Sequence, residues 1–309
     1  MNIITLCLNP AIDVHCDIAD FAPYHENLAQ VTHRDAGGKG INISRALCAN
    51  GVENLAFVVL GEENAASFEQ DLLRDGLNIR TLTVTGRIRE NITCHTPGVP
   101  ETRISFEGFS MGEEQLYSVY EQLCDCVGPD TVLTFTGRFP TGVSANSMKE
   151  LLCRFAQKGS RLVIDSKSVS LADLMELKPW LIKPNEEEIA AYLGRKISTP
   201  EEAVEGALQL NRGGVENVLI SLGAQGAVLV CDKGVFTATA PKVDVCSTVG
   251  AGDSAIAGFL AAYACGAEPA SCLRTAVAYG SAACTTQGTA APGRETIAQL
   301  LPQVQIQTV

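Results

Sequence analysis

A short stretch in the last quarter of the chain combines small residues with a single acid. Gly250, Ala251 and Gly252 precede Asp253, and an apolar segment that predicts a helix follows. A helix that begins with Gly-Ala-Gly offers free backbone N–H groups, which suit the negative charge on a transferring phosphoryl group. A carboxylate beside them can accept the proton of an attacking hydroxyl. The stretch therefore favours phosphoryl transfer to an alcohol, although an acid in a first helical turn also stabilises the helix by itself.

Two further segments have both a structural and a nucleotide-binding interpretation. In residues 183–188 (KPNEEE), Asn185 and Glu188 either form a capping box or hold water around a Mg²⁺ that bridges nucleotide phosphates. Residues 221–227 (SLGAQGA) are either a glycine turn between two strands or a loop whose backbone runs beside a nucleotide. Sequence alone leaves both pairs of alternatives open.

A possible acceptor side lies in the first third of the chain. Residues 36–42 (AGGKGIN) open a predicted helix, and glycines beside Lys39 indicate either a simple turn or an anion site. Asp13 follows the first predicted strand at its carboxyl end, where open α/β sheets bind ligands. Arg89 and Arg103 lie in or beside two predicted strands of a small sheet, although exposed arginines are common.

Three motif matches do not predict a function. Residues 108–112 (GFSMG) match a nucleophile elbow, but all four histidines precede Ser110, whereas that hydrolase plan places the histidine after the serine. Residues 250–255 fit G-x-G-x-x-A, yet they lie far from a first βαβ unit and lack the later acid of a dinucleotide site. The AGGKGINIS segment lacks the spacing and the Lys-Ser/Thr ending of a P-loop.

Composition excludes several classes of protein. The 309 residues are 46% hydrophobic and carry a net charge of −12, so neither nucleic acid nor an anionic membrane is an expected partner. No secretory signal is expected, and the longest apolar run, residues 255–267, is short for a membrane span. The twelve cysteines lack paired or zinc-ligand spacing, which favours a reducing, cytoplasmic location.

Short apolar runs alternate with helical patterns along most of the chain. The runs NIITLCL, ENLAFVVL, TVLTFTG, RLVIDS, PWLIKP and ENVLISLG are typical of parallel strands covered by helices on both faces. Between and after them, the pattern predicts helices at 40–49, 65–74, 113–123, 145–157, 200–210, 251–265, 269–285 and 294–301. Two stretches alternate polar and apolar residues and predict a small antiparallel β lid from about 12–36 and 88–107. We expect one α/β domain, 1–309, with a doubly wound, mostly parallel sheet.

The motifs in their order along the chain resemble those of one family. They are N-P-A-x-D, G-G-K-G-I-N, K-P-N-x-x-E, S-L-G-x-x-G and S-T-V-G-A-G-D-S. Over essentially the whole chain the sequence resembles the PfkB (ribokinase-like) carbohydrate kinases, most closely their phosphosugar branch. The resemblance implies a ribokinase-like fold, ATP and Mg²⁺ as cofactors, K⁺ as a further cation, and a homodimer joined through the lid.

The resemblance also implies roles for individual residues. Asp253 would be the general base, with Gly250, Ala251 and Gly252 as the anion hole. Sugar hydroxyls would bind Asp13, Gly38 and Asn42, and the phosphate that the substrate already carries would bind Lys39, Arg89 and Arg103. ATP would contact Lys183, Asn185, Ser221, Gly223, Gly226, Thr248, Gly280 and Ser281. Mg²⁺ would be held through water by Asn185 and Glu188, and a monovalent cation by Ser247, Val249, Ala283 and Gly288.

Two basic residues depart from the family pattern. Arg138 stands where relatives commonly carry serine, and Lys167 stands where a small residue is usual. We expect both near the substrate, where they would reinforce phosphate binding or change which sugar phosphate is accepted.

The preferred acceptor is expected to be fructose 1-phosphate, which the reaction would convert to fructose 1,6-bisphosphate. Tagatose 6-phosphate and fructose 6-phosphate are the alternatives within the branch. An unphosphorylated sugar would leave Lys39, Arg89 and Arg103 without an anionic partner. A non-catalytic sugar-phosphate-binding protein and a NAD-linked dehydrogenase are the alternatives from other classes.

Overall fold

The computed structural model describes residues 1–309, which form fourteen strands and ten α-helices. The strands are β1 (Asn2–Cys7), β2 (Ala11–Asp17), β3 (Gln30–Gly37), β4 (Leu55–Gly61), β5 (Ile79–Val84), β6 (Arg89–His95), β7 (Thr102–Ser105), β8 (Thr131–Thr136), β9 (Arg161–Asp165), β10 (Leu181–Ile182), β11 (Asn217–Ser221), β12 (Ala227–Cys231), β13 (Gly234–Ala238) and β14 (Ile306–Thr308). The helices are α1 (Lys39–Ala49), α2 (Ala65–Arg74), α3 (Glu113–Leu123), α4 (Ala145–Gln157), α5 (Leu171–Leu177), α6 (Glu186–Leu193), α7 (Pro200–Arg212), α8 (Ala251–Ala264), α9 (Pro269–Ala283) and α10 (Arg294–Leu300). No helix has the length and apolar character that a membrane span needs.

The larger sheet has ten strands in the order β14-β13-β12-β11-β10-β9-β8-β1-β4-β5. All neighbours from β11 to β5 are parallel, and the strands from β11 to β14 pair antiparallel. The chain leaves β1 on one side for β4 and returns on the other side as β8. Such a reversal of strand order opens a crevice at the carboxyl ends of the strands. The predicted fold class is confirmed.

The apolar core lies in two layers, one on each face of the larger sheet. Along a strand, consecutive side chains alternate between the layers, so that Ile3 joins one cluster and Ile4 the other, as do Val132 and Leu133. The larger cluster packs under α2, α3, α4 and α7, and the smaller one under α1, α8, α9 and α10. Burial on both faces explains why the six predicted strands read as continuous apolar runs.

The smaller sheet has four strands in the order β3-β2-β6-β7. Its two hairpins, β2-β3 and β6-β7, are antiparallel, and their inner strands β2 and β6 pair in parallel where the hairpins meet. The strands extend one residue beyond the predicted segment at Ala11 and Gly37. Alternate residues of β2, β6 and β7, namely Asp13, Asn91, Arg103 and Ser105, face the crevice of the larger sheet.

Candidate active site

A cleft of about 530 Å³ lies between the carboxyl edge of the larger sheet and the smaller sheet. The ends of β8, β9 and β11 reach it at Thr136, Asp165 and Ser221. It brings together most of the site residues that the sequence predicts. These are Asp13, Gly38, Lys39, Asn42, Arg89, Arg103, Arg138, Lys183, Asn185, Glu188, Ser221, Val249, Gly250, Gly252 and Asp253.

Helix α8 begins in this cleft with its backbone amides free. Gly250 caps the helix in the left-handed region, with a φ of 79°, and α8 has no side-chain cap. The amides of Gly250, Gly252 and Asp253 have no acceptor within the chain, and Ala251 N–H makes one long bond of 3.4 Å to Thr248 O. A side chain at Gly252 would lie 3.0 Å from Lys183 Nζ. The helix start therefore presents unobstructed donors to an anion.

Asp253 lies in the first turn of α8 and is only 5% exposed. Asn42 of α1 donates from Nδ2 to Asp253 Oδ2 at 2.9 Å. Burial raises the pKa of Asp253 to about 6, and the Lys39 ammonium and the Asn42 bond act in the opposite direction. A carboxyl with such a pKa is ionised at neutral pH but binds a proton readily, which suits a general base.

Asp165, at the end of β9, holds two ammonium groups in the cleft. Lys39 Nζ lies 2.8 Å from Asp165 Oδ2, and Lys183 Nζ lies 3.7 Å from Asp165 Oδ1. Burial by itself would raise the pKa of Asp165, but Lys183 and Lys39 hold it below its ordinary value. Burial likewise opposes the charge of Lys39, yet the carboxylates of Asp165 and Asp253 raise its pKa. Both lysines therefore lie beside Asp165 in the lining of the cleft.

The opposite wall carries groups that can bind sugar hydroxyls. Asn91 of β6 donates from Nδ2 to Asp13 Oδ1 at 2.8 Å. Burial raises the pKa of Asp13, which the Asn91 bond and the nearby Arg103 partly counteract. Gly37 is required because a Cβ there would overlap the Asp13 carboxylate, and a Cβ at Gly38 would lie 2.6 Å from Cys7 Sγ. Asp13 can thus accept hydrogen bonds from ligand hydroxyls in the cleft that it shares with Asn42 and Asp253.

Three arginines line the cleft without a carboxylate partner. Arg103 and Arg138 make no hydrogen bond or ion pair within the chain, whereas Arg89 donates only from Nη1, to Asn91 Oδ1 at 3.2 Å. Arg89 Nε is buried without an acceptor. Burial lowers the pKa of Arg89, and Arg138 shifts it in the same direction because the two like charges are close. Unpaired guanidinium groups that converge in this way suit a phosphate.

The predicted capping box at the start of α6 is formed. Asn185 Oδ1 accepts from Glu188 N–H at 2.8 Å, and Glu188 Oε2 accepts from Asn185 N–H at 3.0 Å. Glu188 Oε1 remains available in the cleft, 3.7 Å from Lys167 Nζ. The Lys167 side chain is 63% exposed and does not line the cleft, and its expected place near the substrate stays a prediction.

The remaining predicted residues do not line the cleft. Gly280 of α9 packs against the start of α8, where a Cβ would lie 3.3 Å from Ala251 O. Ser247 Oγ accepts from Val249 N–H at 3.2 Å, and Ser247 N–H donates to Cys284 O at 3.2 Å, beside Ala283. The residues outside the lining are Ala251, Gly223, Gly226, Ser247, Thr248, Gly280, Ser281, Ala283 and Gly288.

The sequence did not single out several residues that line the cleft. Asp165 and Thr136 end buried strands, and that position at a carboxyl end was the signal available for both. Asp13, which the sequence placed at the carboxyl end of the first strand, lies instead within β2 of the smaller sheet. Asn91 has the period-two spacing of the polar face of β6. Thr289 lies in a turn after α9, and no sequence pattern marks it.

Comparisons with known proteins give the same family as the motifs. The model of the pfkB family carbohydrate kinases matches residues 8–297. The 1-phosphofructokinase of Haemophilus influenzae is 30% identical over 99% of this chain and 98% of its own, and that of Rhodobacter capsulatus is 32% identical over 100% and 98%. The crystal structure of the phosphofructokinase-2 from Escherichia coli in complex with potassium has a TM-score of 0.91 at 26% identity, over 98% of each chain. The chain therefore belongs to the pfkB family of carbohydrate kinases.

Proposed function

We propose that the protein transfers the γ-phosphoryl group of ATP to a hydroxyl of a phosphorylated ketohexose, preferably fructose 1-phosphate, giving fructose 1,6-bisphosphate. The observation that carries this proposal is a buried acid beside free helix amides, in one cleft with three arginines that lack a carboxylate partner. The relatives named 1-phosphofructokinase, about 30% identical over nearly the whole chain, favour fructose 1-phosphate as the acceptor.

Asp253 is the proposed general base. The primary hydroxyl of the sugar attacks the γ-phosphorus as Asp253 takes its proton, the new O–P bond forms, and the bond to the β-phosphate oxygen breaks to release ADP. Asn42 holds the carboxylate in place through its 2.9 Å bond. The amides of Gly250, Ala251 and Gly252 receive the charge of the moving phosphoryl group.

The two ends of the cleft would bind the two substrates. Asp13, Gly38 and Asn42 bind sugar hydroxyls, and the acceptor's own phosphate lies between Arg89, Arg103 and Arg138, with Lys39 nearby. On the donor side, Lys183 and Asn185 approach the nucleotide phosphates. The proposed lining of ATP is completed by Ser221, Gly223, Gly226, Thr248, Gly280 and Ser281. The smaller sheet acts as a lid that closes on the same domain and excludes water, because water would otherwise compete for the phosphoryl group.

Mg²⁺ fits the donor end only if phosphate oxygens and water complete its shell. The structure has no group of three or more acidic, cysteine or histidine side chains arranged around a metal position. Glu188 Oε1 accepts no hydrogen bond and lies 3.7 Å from Lys167 Nζ, whereas Asn185 Oδ1 is engaged in the capping box. Glu188 would therefore bind Mg²⁺ through water, and when bound the ion would neutralise charge on the β- and γ-phosphates.

K⁺ is the proposed monovalent cation. The contacts between residues 246–249 and the end of α9 bring Ser247 and Val249 close to Ala283. Together with Gly288 these residues offer hydroxyl and carbonyl oxygens, the ligands that such a cation prefers. A higher turnover in potassium salts than in tetramethylammonium salts is expected, and equal rates would count against the site.

A homodimer joined through the smaller sheet is also proposed. Leu28, Val31, Ile104 and Phe106 are large apolar side chains exposed on or beside this sheet. Burying them against a second copy would remove them from water. Light scattering should give twice the chain's mass of 32.7 kDa. All twelve cysteines are free, which favours a reducing, cytoplasmic location.

A panel of acceptors assayed with ATP·Mg²⁺ tests the function. We expect kcat/KM to be highest for fructose 1-phosphate, lower for fructose 6-phosphate and tagatose 6-phosphate, and very low for free fructose, which leaves the arginines unpaired. Asp253→Asn is the control and should turn over no acceptor at an appreciable rate. ATP-independent binding without turnover of any acceptor would instead indicate a non-catalytic sugar-phosphate-binding protein.

A further inference from the structure

Thr289 carries a buried hydroxyl that has no partner in the protein. It lies in the turn after α9, is 7% exposed and lines the cleft, and its Oγ1 makes no hydrogen bond. Leaving a buried hydroxyl unpaired destabilises the folded protein, because the group has lost its hydrogen bonds to water. A ligand that accepts its hydrogen bond would remove that cost.

The turn places Thr289 beside the start of α8. A Cβ on Gly250 would have the Cα of Thr289 as its nearest neighbour, at 3.7 Å. Thr289 therefore lies against the residue that caps α8, beside the free amides of Gly250, Gly252 and Asp253. The group that these amides and the Thr289 hydroxyl share must be an acceptor of hydrogen bonds, such as a phosphoryl oxygen.

The turn is held in place by its own bonds and by the smaller sheet. Thr286 Oγ1 donates to Ala283 O at 2.8 Å and lies 3.0 Å from Ala290 O, so the turn is tied to the end of α9. On its other side, a Cβ at Gly288 would lie 3.5 Å from His15 Nε2 and 3.7 Å from Asp35 Oδ2. Because Thr289 follows Gly288, the turn that carries it lies between the smaller sheet and the start of α8.

We propose that Thr289 is a further catalytic residue, whose hydroxyl donates a hydrogen bond to the γ-phosphoryl group as it moves from ADP to the acceptor. The inference rests on the proposed phosphoryl transfer and adds a side-chain donor to the anion hole of backbone amides. A donor aimed at developing charge in a site that excludes water contributes more than the same bond in water.

Thr289→Val tests the proposal because valine keeps the shape of threonine and removes the hydroxyl. We expect kcat to fall by about 10²-fold, as for other single donors to a developing anion. The KM values for ATP and acceptor should change little, and the thermal midpoint should not fall, because no protein bond is lost. Thr289→Ser keeps the hydroxyl and should recover most of kcat.

Thr134→Val is the matched control, since Thr134 Oγ1 is also buried without a partner but does not line the cleft. Its kcat should equal that of the wild type. An unchanged kcat in Thr289→Val would overturn the inference, as would a loss confined to low potassium concentration, which would make the hydroxyl a cation ligand. A wild-type protein that phosphorylates no sugar phosphate would instead overturn the proposed function, so the two failures are distinguishable.

Discussion

Asp253 is an acid that the fold buries and that the proposed reaction needs in its ionised form. The residue is only 5% exposed, and this burial raises its pKa to about 6. Burial therefore disfavours the ionised carboxylate, which is the form that general-base catalysis requires. Asn42 and Lys39 limit that effect, and they keep the carboxylate ionised at neutral pH. Such a balance is typical of catalytic groups, whose pKa lies near the working pH.

The pH dependence of turnover should follow this carboxyl. Because only ionised Asp253 accepts a proton, kcat should fall about tenfold per pH unit below a pKa near 6 and level off above it. Asp253→Asn should lower kcat by roughly 10²–10⁴-fold and should remove this acidic limb from the residual activity. The acceptor's phosphate also titrates near pH 6. A limb that persists in Asp253→Asn would therefore assign it to the substrate and contradict the role of Asp253.

Some site residues could be predicted from the sequence, and others could not. Asp253 and its glycines are marked by their local spacing, since small residues and an acid before an apolar helix are unusual together. Asp165 is not marked, because an acid that ends a buried strand is common and its two lysines come from elements 126 and 18 residues away along the chain. When the partners of a residue come from distant segments, no local sequence pattern marks that residue as part of the site.

At the scale of elements, the cleft depends on strand ends and helix starts that meet at one edge of the sheet. Asp165 at the end of β9 forms an ion pair there with Lys39 at the start of α1. Lys183, in the segment after β10, pairs with the same carboxylate. The six apolar strands were predictable because burial on both faces makes them continuous apolar runs. Edge strand β5, with most of its side chains half-buried, and the three-residue β14 were not, because neither forms such a run.

Asp165→Asn should show how much this junction contributes to stability. It removes the only carboxylate paired with Lys183, whose side chain is 6% exposed, so the free energy of unfolding should fall by roughly 3–5 kcal/mol at pH 7. The pKa of Asp165 is lowered, so its contribution is present above the unfolded value of about 3.9 and is lost as pH falls through the lower native value. The difference between variant and wild type in urea unfolding should therefore shrink below pH 4.

Glu205→Gln provides the surface control for that experiment. Glu205 pairs with Arg195 at 3.4 Å, and its side chain is 69% exposed. An exposed pair of this kind contributes at most about 1 kcal/mol. Equal losses in the two variants would show that Asp165 has no special role in the junction.

At the scale of the whole molecule, basic side chains outnumber acidic ones in the cleft, whereas acidic side chains outnumber basic ones in the whole chain. Five basic and four acidic side chains line the cleft, whereas the whole protein carries a net charge of −12. An anionic substrate is therefore attracted to this one region and repelled by most of the surface. Composition alone predicts only the net charge, because the gathering of the arginines depends on how the two sheets meet.

The arrangement of the smaller sheet was only partly accessible from sequence. Alternating polar and apolar residues predicted both hairpins, and their polar positions form the inner face that carries Asp13 and Asn91. The parallel pairing of β2 with β6 joins residues 78 positions apart, and no local pattern specifies it. That pairing nevertheless decides which polar residues share the wall of the cleft.

Ligand protection should reveal the two ends of the cleft in the intact protein. A ligand at 100 times its Kd stabilises the native state by about 2.7 kcal/mol, which corresponds to roughly 4 °C in Tm for a domain of this size. ATP·Mg²⁺ and fructose 1-phosphate should each raise Tm, also in Asp253→Asn, because that change removes the base and leaves both binding ends intact. Replacing Arg103 and Arg138 together by glutamine should abolish the shift with fructose 1-phosphate and preserve the shift with ATP·Mg²⁺. NAD should give no shift, and protection by NAD without protection by ATP·Mg²⁺ would favour a dehydrogenase over a kinase.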